Sequence, residues 1–280
     1  MIKNILTPLV TLALLTFLQS TALAVEYQSP RTLALGGSGR AAPLLNDAIY
    51  LNPSYGSFVP SYSLATGWNW YDQGHNYNVS VQDSRTELFQ AGAGFTHREQ
   101  NSAINIGASK QVIQRLGVGI GSKTIIDNGT NQMHTDFMYS TSFIATQWMY
   151  ASIVIDNLID NSDFQARNMY RNFFAAFKFI PTKEVQFFLD PLYTPNYPNG
   201  AKGGFSLGME IGLMADFYLR AGRFQHAEVS FMDTRGEGFG LGLGWIGPKM
   251  NVDYSMNRVT GNDNQTPLTT SHSVALTLYF

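Results

Sequence analysis

The chain has 280 residues, a formal net charge of −2 and no cysteine. This charge balance does not favour nucleic-acid binding, and the lack of cysteine excludes disulfides and Cys-ligated metal sites. Charged residues make up only 14% of the chain, against roughly 25% in ordinary soluble domains. No run of 18 or more apolar residues follows the first 24, so the sequence predicts no transmembrane helix. Low charge, 26 glycines and 13% aromatic residues instead indicate β-structure that faces lipid.

Residues 1–24 predict a secretory signal peptide. Lys3 supplies the positive start, residues 6–18 form a short apolar stretch, and residues 22–24 (Ala-Leu-Ala) form a cleavage site with small residues at its first and third positions. The apolar stretch is short for a membrane anchor helix, which is the alternative explanation. The mature chain is therefore expected to begin at Val25.

Residues 25–60 do not alternate between apolar and polar, and they predict a compact segment that folds into the lumen of the domain that follows. Asn46 or Asp47 is expected to cap a short helical turn that ends before Pro53. Pro53 itself is expected to form a fixed bend, with the Asn52 side chain bonded to backbone groups inside the lumen. The residues singled out here are Gly36, Gly37, Gly39, Asn46, Asp47, Asn52 and Pro53.

From residue 61 to residue 280, apolar and polar side chains alternate along short segments, as they do on the two faces of a β-strand. The alternation predicts about fourteen strands, an even number, as in bacterial outer-membrane barrels. Their predicted bounds are 61–71, 75–83, 87–97, 102–113, 116–126, 133–145, 148–156, 171–180, 184–190, 203–213, 217–224, 237–246, 249–257 and 272–280. The sixth and seventh segments also fit one long bent strand.

The links between these strands fall into two classes. Links after odd-numbered strands are mostly long and polar, whereas links after even-numbered strands are tight. The long links are 157–170, 191–202, 225–236 and 258–271, and the tight ones are 84–86, 114–115, 181–183, 214–216 and 247–248. A soluble sandwich also shows alternating strands, but it has no reason to place its long loops at one end. The sequence therefore predicts an all-β, transmembrane antiparallel barrel with long loops outside the cell and both termini in the periplasm.

In such a barrel the apolar face contacts lipid and the polar face lines the lumen. The tight turn at 214–216 places residue 213 opposite 217, which puts Glu210 opposite Arg220 on the polar face. Because directly opposed side chains lie about 5 Å apart at Cβ, we expect a lumenal ion pair, which Asp253 joins from two strands away. Glycines at 238, 240, 242 and 244 share that face, either because the sheet is strongly curved there or because another segment approaches closely.

The stretch "RTLALGGSGRA…NDAIYLNPS" resembles the N-terminal hatch of the FadL-like outer-membrane transport superfamily, in which a Gly-Gly-x-Gly run precedes an Asn-Pro-Ala motif. Asn52-Pro53-Ser54 differs from that motif by Ser in place of Ala. The stretches "GMEIGLMADFYLRAGRFQ", "GFGLGLGWIGPKMNVDYSM" and "HSVALTLYF" are similar to strands of the smaller PorV/PorQ-like branch. The resemblance implies a fourteen-stranded barrel closed by a hatch and uptake of hydrophobic compounds. The smaller branch also includes accessory proteins of a secretion system.

The chain ends in alternating apolar residues that resemble the terminal motif read by the barrel-assembly machinery. These residues are Val274, Leu276, Leu278 and Phe280. The expected partners are therefore outer-membrane lipid and that machinery.

The sequence offers no convincing catalytic or metal site, and we expect neither an enzyme nor a cofactor. His134 and Asp136 share a strand face, as an acid–base pair requires, but a polar lumen wall gives the same pattern. Residues 127–131 and 261–265 resemble calcium loops in composition without their spacing, and turns explain them better. Two functions stay open: a channel for small hydrophobic compounds gated by the hatch, and an accessory protein that binds a partner through loops 157–170, 191–202 and 258–271.

Overall fold

The computed structural model describes residues 27–72, 74–86, 88–198, 200–214, 216–229, 234–262 and 268–280. The predicted signal peptide, 1–24, and the expected mature start at Val25 lie outside these ranges. Within them, no helix is both long enough and apolar enough to cross a bilayer.

In the described part of the chain, fourteen antiparallel strands form a closed barrel in which each strand pairs with its sequence neighbours and β1 pairs with β14. The prediction of an all-β fold with a closed antiparallel barrel of about fourteen strands is confirmed. The strands are β1 Tyr62–Tyr71, β2 Gly74–Asp83, β3 Gln90–Arg98, β4 Asn101–Ile113, β5 Leu116–Asp127, β6 Met133–Thr146, β7 Met149–Asp156, β8 Asn172–Phe179, β9 Val185–Tyr193, β10 Gly203–Gly212, β11 Phe217–Glu228, β12 Arg235–Ile246, β13 Met250–Asn262 and β14 Thr270–Tyr279. β6 and β7 are separate strands.

Two strands run further than their sequence pattern indicates. β11 continues to Glu228 and β13 to Asn262, so the links predicted at 225–236 and 258–271 shorten to 229–234 and 263–269. At the end of β13 the apolar–polar alternation inverts: Val259 is buried and faces inward, whereas Arg258 and Thr260 are exposed. Irregularities in the pairing of β12 with β11 and β13 lie at the same end of the barrel. The contrast between long and tight links is therefore weaker than the sequence predicts.

The two faces of the wall differ sharply in polarity. Large apolar side chains are exposed on the outer face around the barrel, among them Leu64, Val79, Ile106, Ile120, Phe137, Ile153, Leu207, Leu241, Leu243 and Val252. Small polar side chains are buried on the inner face, among them Ser63, Ser80, Thr96, Ser140, Ser142, Ser152, Ser255, Asn257 and Ser273. Soluble monomers rarely expose apolar surface on this scale, so the polarity of the wall is inverted relative to a soluble protein.

Residues 27–59, called the N-terminal segment below, contain two short helices and a 3-10 helix. These are α1 Pro30–Ala34, α2 Ala48–Leu51 and the 3-10 helix Pro53–Phe58, while α3 Ser162–Gln165 lies in the link between β7 and β8. The Ser29 side chain caps α1 by accepting a bond from the Thr32 N–H. Gly36 and Gly37, both at positive φ, let the chain turn away from the end of α1 at no steric cost.

Two expectations for this segment are wrong. The helical turn before Pro53 exists as α2, but no side-chain bond from Asp47 caps it. Pro53 does not hold a non-helical bend, because it begins the 3-10 helix. Proline is tolerated at the first position of a helix, where the N–H has no intrahelical acceptor.

Candidate functional site

The N-terminal segment contacts inward-facing side chains all around the barrel and is almost entirely buried. Asn46 bonds to Ser63 of β1 at 2.5 Å and to Ser80 of β2 at 3.1 Å. On the opposite side of the barrel, the backbone N–H groups of Gly39 and Arg40 each donate to the Asp190 carboxylate of β9 at 3.0 Å. The lumen is therefore filled by chain that precedes the barrel in sequence.

Asn52 lies at the centre of a buried hydrogen-bond network with serines. Its side-chain amide donates to the Arg40 carbonyl at 2.7 Å and to the Ser142 hydroxyl of β6 at 2.8 Å. The Ser54 hydroxyl donates to Asn52 Oδ1 at 2.6 Å and lies 2.7 Å from the Ser142 hydroxyl. Because these groups are shielded from water, each bond offsets a desolvation cost. The network joins two parts of the segment to each other and to the wall.

Glycines on three adjacent strands let α1 approach the wall closely. A methyl group at Gly208 of β10 would lie 2.8 Å from Leu35 Cβ, and one at Gly222 of β11 would overlap the Leu35 backbone. On β12, Gly240 faces the backbone of α1, with its hypothetical methyl 2.8 Å from the Ala34 carbonyl oxygen. Because these glycines have no side chains, α1 can pack directly on the backbone of the wall.

The two explanations of the glycine stripe on β12 therefore apply to different positions. Gly240 and Gly242 make room for α1, because a methyl on Gly242 would lie 2.6 Å from the Ala34 side chain. Gly238 is crowded by the wall itself, through the Arg258 backbone and the Phe224 ring. Gly244 is crowded by the side chains of Arg220 and Asp253.

An ion cluster links the segment to β10, β11 and β13. The structure brings Glu210 and Arg220 together, with Arg220 Nε donating to Glu210 Oε2 at 2.6 Å, and Arg220 also binds Asp253. Arg31 of α1 donates to the same Glu210 oxygen at 3.0 Å. Sequence reasoning missed Arg31. The charges of the predicted cluster could have indicated it. Two carboxylates, of Glu210 and Asp253, and the one guanidinium of Arg220 leave one buried negative charge that needs a partner.

A second arginine of the segment covers an apolar area of the wall. The Arg40 guanidinium lies 3.7 Å from the centre of the Phe174 ring, and its Nη1 is 3.5 Å from Asp190 Oδ2. Phe174 belongs to an apolar cluster on β6 to β9, called the lumenal apolar cluster below, whose members are Met138, Val154, Phe174 and Leu192. An apolar area inside a polar lumen is thus shielded by a charged side chain.

Asp47 accepts a hydrogen bond from the Ser29 hydroxyl at 2.6 Å. Its complete burial raises the pKa of the carboxyl from 3.8 to about 6, although the Ser29 bond and Arg31 oppose the shift. The carboxyl that sequence reasoning assigned to a helix cap thus ties the start of the segment to its middle.

Two small cavities lie between the segment and the wall, of about 20 Å³ and about 10 Å³. Cavities of this size hold about one water molecule each. The larger cavity touches Tyr27, Arg40, Lys123, Asp156 and Phe174. Neither of these two cavities, both lined by described residues, can hold an aromatic ring, so an aromatic compound could occupy either of them only if the segment moved.

The acid–base pair considered for His134 and Asp136 does not form. Asp136 is fully buried and accepts bonds from the backbone N–H groups of Phe137, Ile159 and Asp160 at 2.7, 2.8 and 3.1 Å. His134 Nδ1 instead lies 3.1 Å from Asp163. Both side chains hold the link between β7 and β8 in place.

The first calcium-like loop also has a structural explanation, since Arg167 binds both carboxylate oxygens of Asp127, at 3.1 and 2.7 Å. In the second loop, residues 263–265 lie outside the described residues. Among the described residues, no group of three or more His, Asp or Glu side chains is arranged to hold a metal ion.

The C-terminal strand β14 closes the barrel against β1. Val274 and Phe280 are exposed on the outer face, with Leu276 and Leu278 half-buried between them. The Phe280 N–H donates to the Tyr62 carbonyl at 3.0 Å. The last residue therefore takes part in the closing hydrogen bonds, and its role as an insertion signal stays a prediction.

Neither a protein-family model nor a curated protein matches the sequence. The structure is similar to that of CymD, a monoaromatic hydrocarbon channel, with a TM-score of 0.65 and 13% identity over 92% of this chain and 99% of CymD. It is also similar to the Pseudomonas putida toluene transporter TodX, with a TM-score of 0.63 and 9% identity over 92% of this chain and 98% of TodX. The Acinetobacter baumannii outer membrane protein Omp33 matches with a TM-score of 0.53 and 7% identity, over 80% of this chain and all of Omp33. At these identities the likeness shows a shared fold, and the three proteins named here are a channel, a transporter and an outer-membrane protein rather than enzymes.

Proposed function

We propose that this chain is a FadL-like outer-membrane barrel that admits small hydrophobic compounds, with the N-terminal segment as its hatch. Three observations support the proposal. The outer face of the closed barrel is apolar, the fold is shared with CymD and TodX, and the segment fills the lumen with little free volume. An apolar belt around a closed wall is what lipid requires of a β-barrel. Assignment to the PorV/PorQ-like branch stays a prediction.

The observation that carries the gating proposal is the way the segment is held. It is attached to the wall by side-chain hydrogen bonds, two arginines and glycine contacts, and its covalent connection to the wall is through residues 60 and 61 at the start of β1. Arg40 covers the lumenal apolar cluster, which an apolar compound would otherwise contact. Displacement of Arg40 and Asn52 would uncover apolar surface without breaking a strand.

A disulfide across the segment–wall boundary tests the gate, because the chain has no cysteine of its own. The Ser54 and Ser142 hydroxyl oxygens are 2.7 Å apart, which suits a Ser54→Cys/Ser142→Cys disulfide that locks the segment to β6. The matched control is Ser142→Cys/Ser152→Cys, whose hydroxyl oxygens are 2.8 Å apart and whose disulfide joins β6 to β7 within the wall.

We expect oxidised Ser54→Cys/Ser142→Cys protein in liposomes to lose toluene uptake and to regain it on reduction. The control also removes two acceptors of the Asn52 amide, the hydroxyls of Ser142 and Ser152. Because its disulfide lies within the wall, its uptake is expected to be the same in the oxidised and reduced states. Deleting residues 25–57 should raise non-specific permeability while the barrel still inserts. Uptake that persists through the oxidised lock, or a deletion that leaves permeability unchanged, would contradict the hatch.

The accessory-protein function is favoured by one observation at the loop end of the barrel. Leu158 and Ile159, at the start of the longest link, are 41% and 54% exposed. Paired apolar side chains on a loop are suited to contact another protein. If neither wild-type protein nor reduced Ser54→Cys/Ser142→Cys protein takes up toluene in liposomes, this second function replaces the first. Loss of partner capture by Leu158→Ser/Ile159→Ser protein would then be its test.

A further inference from the structure

The link between β7 and β8, residues 157–171, folds inward at the loop end of the barrel. Its Phe164 is fully buried and its Met169 nearly so. They form one buried apolar cluster with Ala103 of β4 and Ile125 of β5, which are directly opposed partners on the inner face. Phe164 therefore lies inside the mouth of the barrel, on wall residues that belong to the lumen rather than to the loop.

We infer that the Ala103–Ile125 surface is an entry site for uncharged hydrocarbons of about the size of one aromatic ring, and that Phe164 and Met169 occupy it until such a compound displaces them. The inference takes its ligand class from the proposed function. The site itself rests on the burial and contacts of the link.

The chemistry of the cluster suits an uncharged hydrocarbon. The other members of the Phe164 cluster carry a methyl group, a branched aliphatic side chain and a thioether, so these side chains offer dispersion and hydrophobic contact. A charged or strongly polar compound would lose its hydration there without compensation. The occupant is a single six-membered ring, and a compound of similar shape can replace it with little change in buried apolar area.

Around this apolar centre the link is held by polar contacts and by Tyr170, whose ring packs edge-on against Tyr197 with the ring centres 5.6 Å apart. Asp136 accepts two of its backbone N–H groups, from Ile159 and Asp160. Arg167, beyond Phe164, binds Asp127 at the end of β5. The cluster lies between these two attachments. A compound that displaced Phe164 from the cluster would favour release of the part of the link around Arg167. The part around Ile159 and Asp160 would stay bound to Asp136.

The site also leads towards the rest of the lumen. Next to Ala103 and Ile125, one layer further in, the inner face presents Asn105 and Lys123. Both residues line the 20 Å³ cavity, together with three members of the lumenal apolar cluster, Met138, Val154 and Phe174. Between the two apolar areas stands the Lys123–Asp156 ion pair, at 3.3 Å. An apolar compound would thus have to pass this ion pair between the entry site and the lumenal apolar cluster that Arg40 covers.

Limited trypsin digestion of the folded, detergent-solubilised protein tests the inference with toluene as the probe. The Arg167 side chain is 8% exposed and is paired with Asp127, so the bond after Arg167 is protected while the link is folded in. Arg85, whose side chain is 54% exposed in the turn at the opposite end, serves as the internal reference. Cleavage follows the population of the open form when opening is fast. Toluene at about ten times its dissociation constant for the open form should then raise the population of that form, and cleavage after Arg167, about tenfold. Cleavage after Arg85 should not change.

Two variants of the same link complete the test. Phe164→Ala should show rapid cleavage after Arg167 without toluene and no further response to it. Leu158→Ala, which removes an exposed side chain outside the cluster, should behave as wild type. Both are compared only as folded barrels, identified by their heat-dependent migration in gels. Wild-type cleavage after Arg167 that toluene does not change, or that rises only in parallel with cleavage after Arg85, would overturn the entry site. The result is independent of the disulfide lock, because the digestion needs no transport.

Discussion

Substitution of Gly240 by alanine should loosen the N-terminal segment without altering its hydrogen-bonding groups. The added methyl would lie 2.8 Å from the Ala34 carbonyl oxygen and closer still to that of Leu33, whereas ordinary contact begins at 3.4 Å. Both obstacles are backbone, so rotation of a side chain cannot relieve them. Helix α1 must withdraw from β12 by roughly 1 Å, and Arg31 withdraws with it from Glu210.

Overpacking of this kind costs about 1–3 kcal/mol. Because the strain applies only while the segment is seated, it should raise the population of the displaced segment about 5–150-fold. The matched control is Gly212→Ala on β10, where the nearest atoms are 3.7 Å from the new methyl and belong to the wall.

Thiol reactivity measures the displacement. Ser38 is fully buried in the segment, and Ser38→Cys supplies a single thiol because the chain has no other. In folded protein, a small water-soluble thiol reagent should label Cys at this position at least fivefold faster in the Gly240→Ala background than in the Gly212→Ala background. Equal rates in the two backgrounds would refute the argument that glycines on β12 are needed to seat α1.

Three further predictions concern the termini, the topology and the pH response. Deleting Phe280 should sharply lower outer-membrane levels on immunoblots, because its N–H helps close β14 on β1; unchanged levels would count against the insertion signal. An epitope inserted near Asn262 should be labelled on intact cells and one beside Gly247 should not, and the reverse pattern would invert the topology. Burial raises the pKa of Asp47 to about 6. Seating of the segment should therefore be strongest below about pH 4 and should lose about 3 kcal/mol as the pH rises through 6. Labelling of Ser38→Cys should therefore become faster as the pH rises from 4 to 7. The rise should be less steep in an Asp47→Asn background, and this comparison removes the increase in reactivity of the thiol itself with pH.

The strands and the inward or outward direction of their side chains follow from the sequence because alternation is a local property. In a strand the side-chain direction has a period of two residues, so a run such as residues 237–246 shows both faces without knowledge of its neighbours. A tight turn extends this to the next strand, which is why Glu210 could be placed opposite Arg220. The same reasoning failed at the end of β13, where an inward Val259 reverses the usual polarity near the loops.

The contents of the lumen were decided only by the tertiary structure. Arg31 and Glu210 are 179 residues apart in sequence, and no local period relates them. The same holds for Asp47, which bonds to Ser29 instead of capping its helix. It also holds for Phe164, which lies in a polar link but is buried inside the barrel rather than exposed outside it. A closed barrel gives every inward side chain several possible partners across the lumen. Which of them meet depends on the path of the N-terminal segment, and that path is fixed by the sum of many buried polar contacts rather than by any single pattern in the chain.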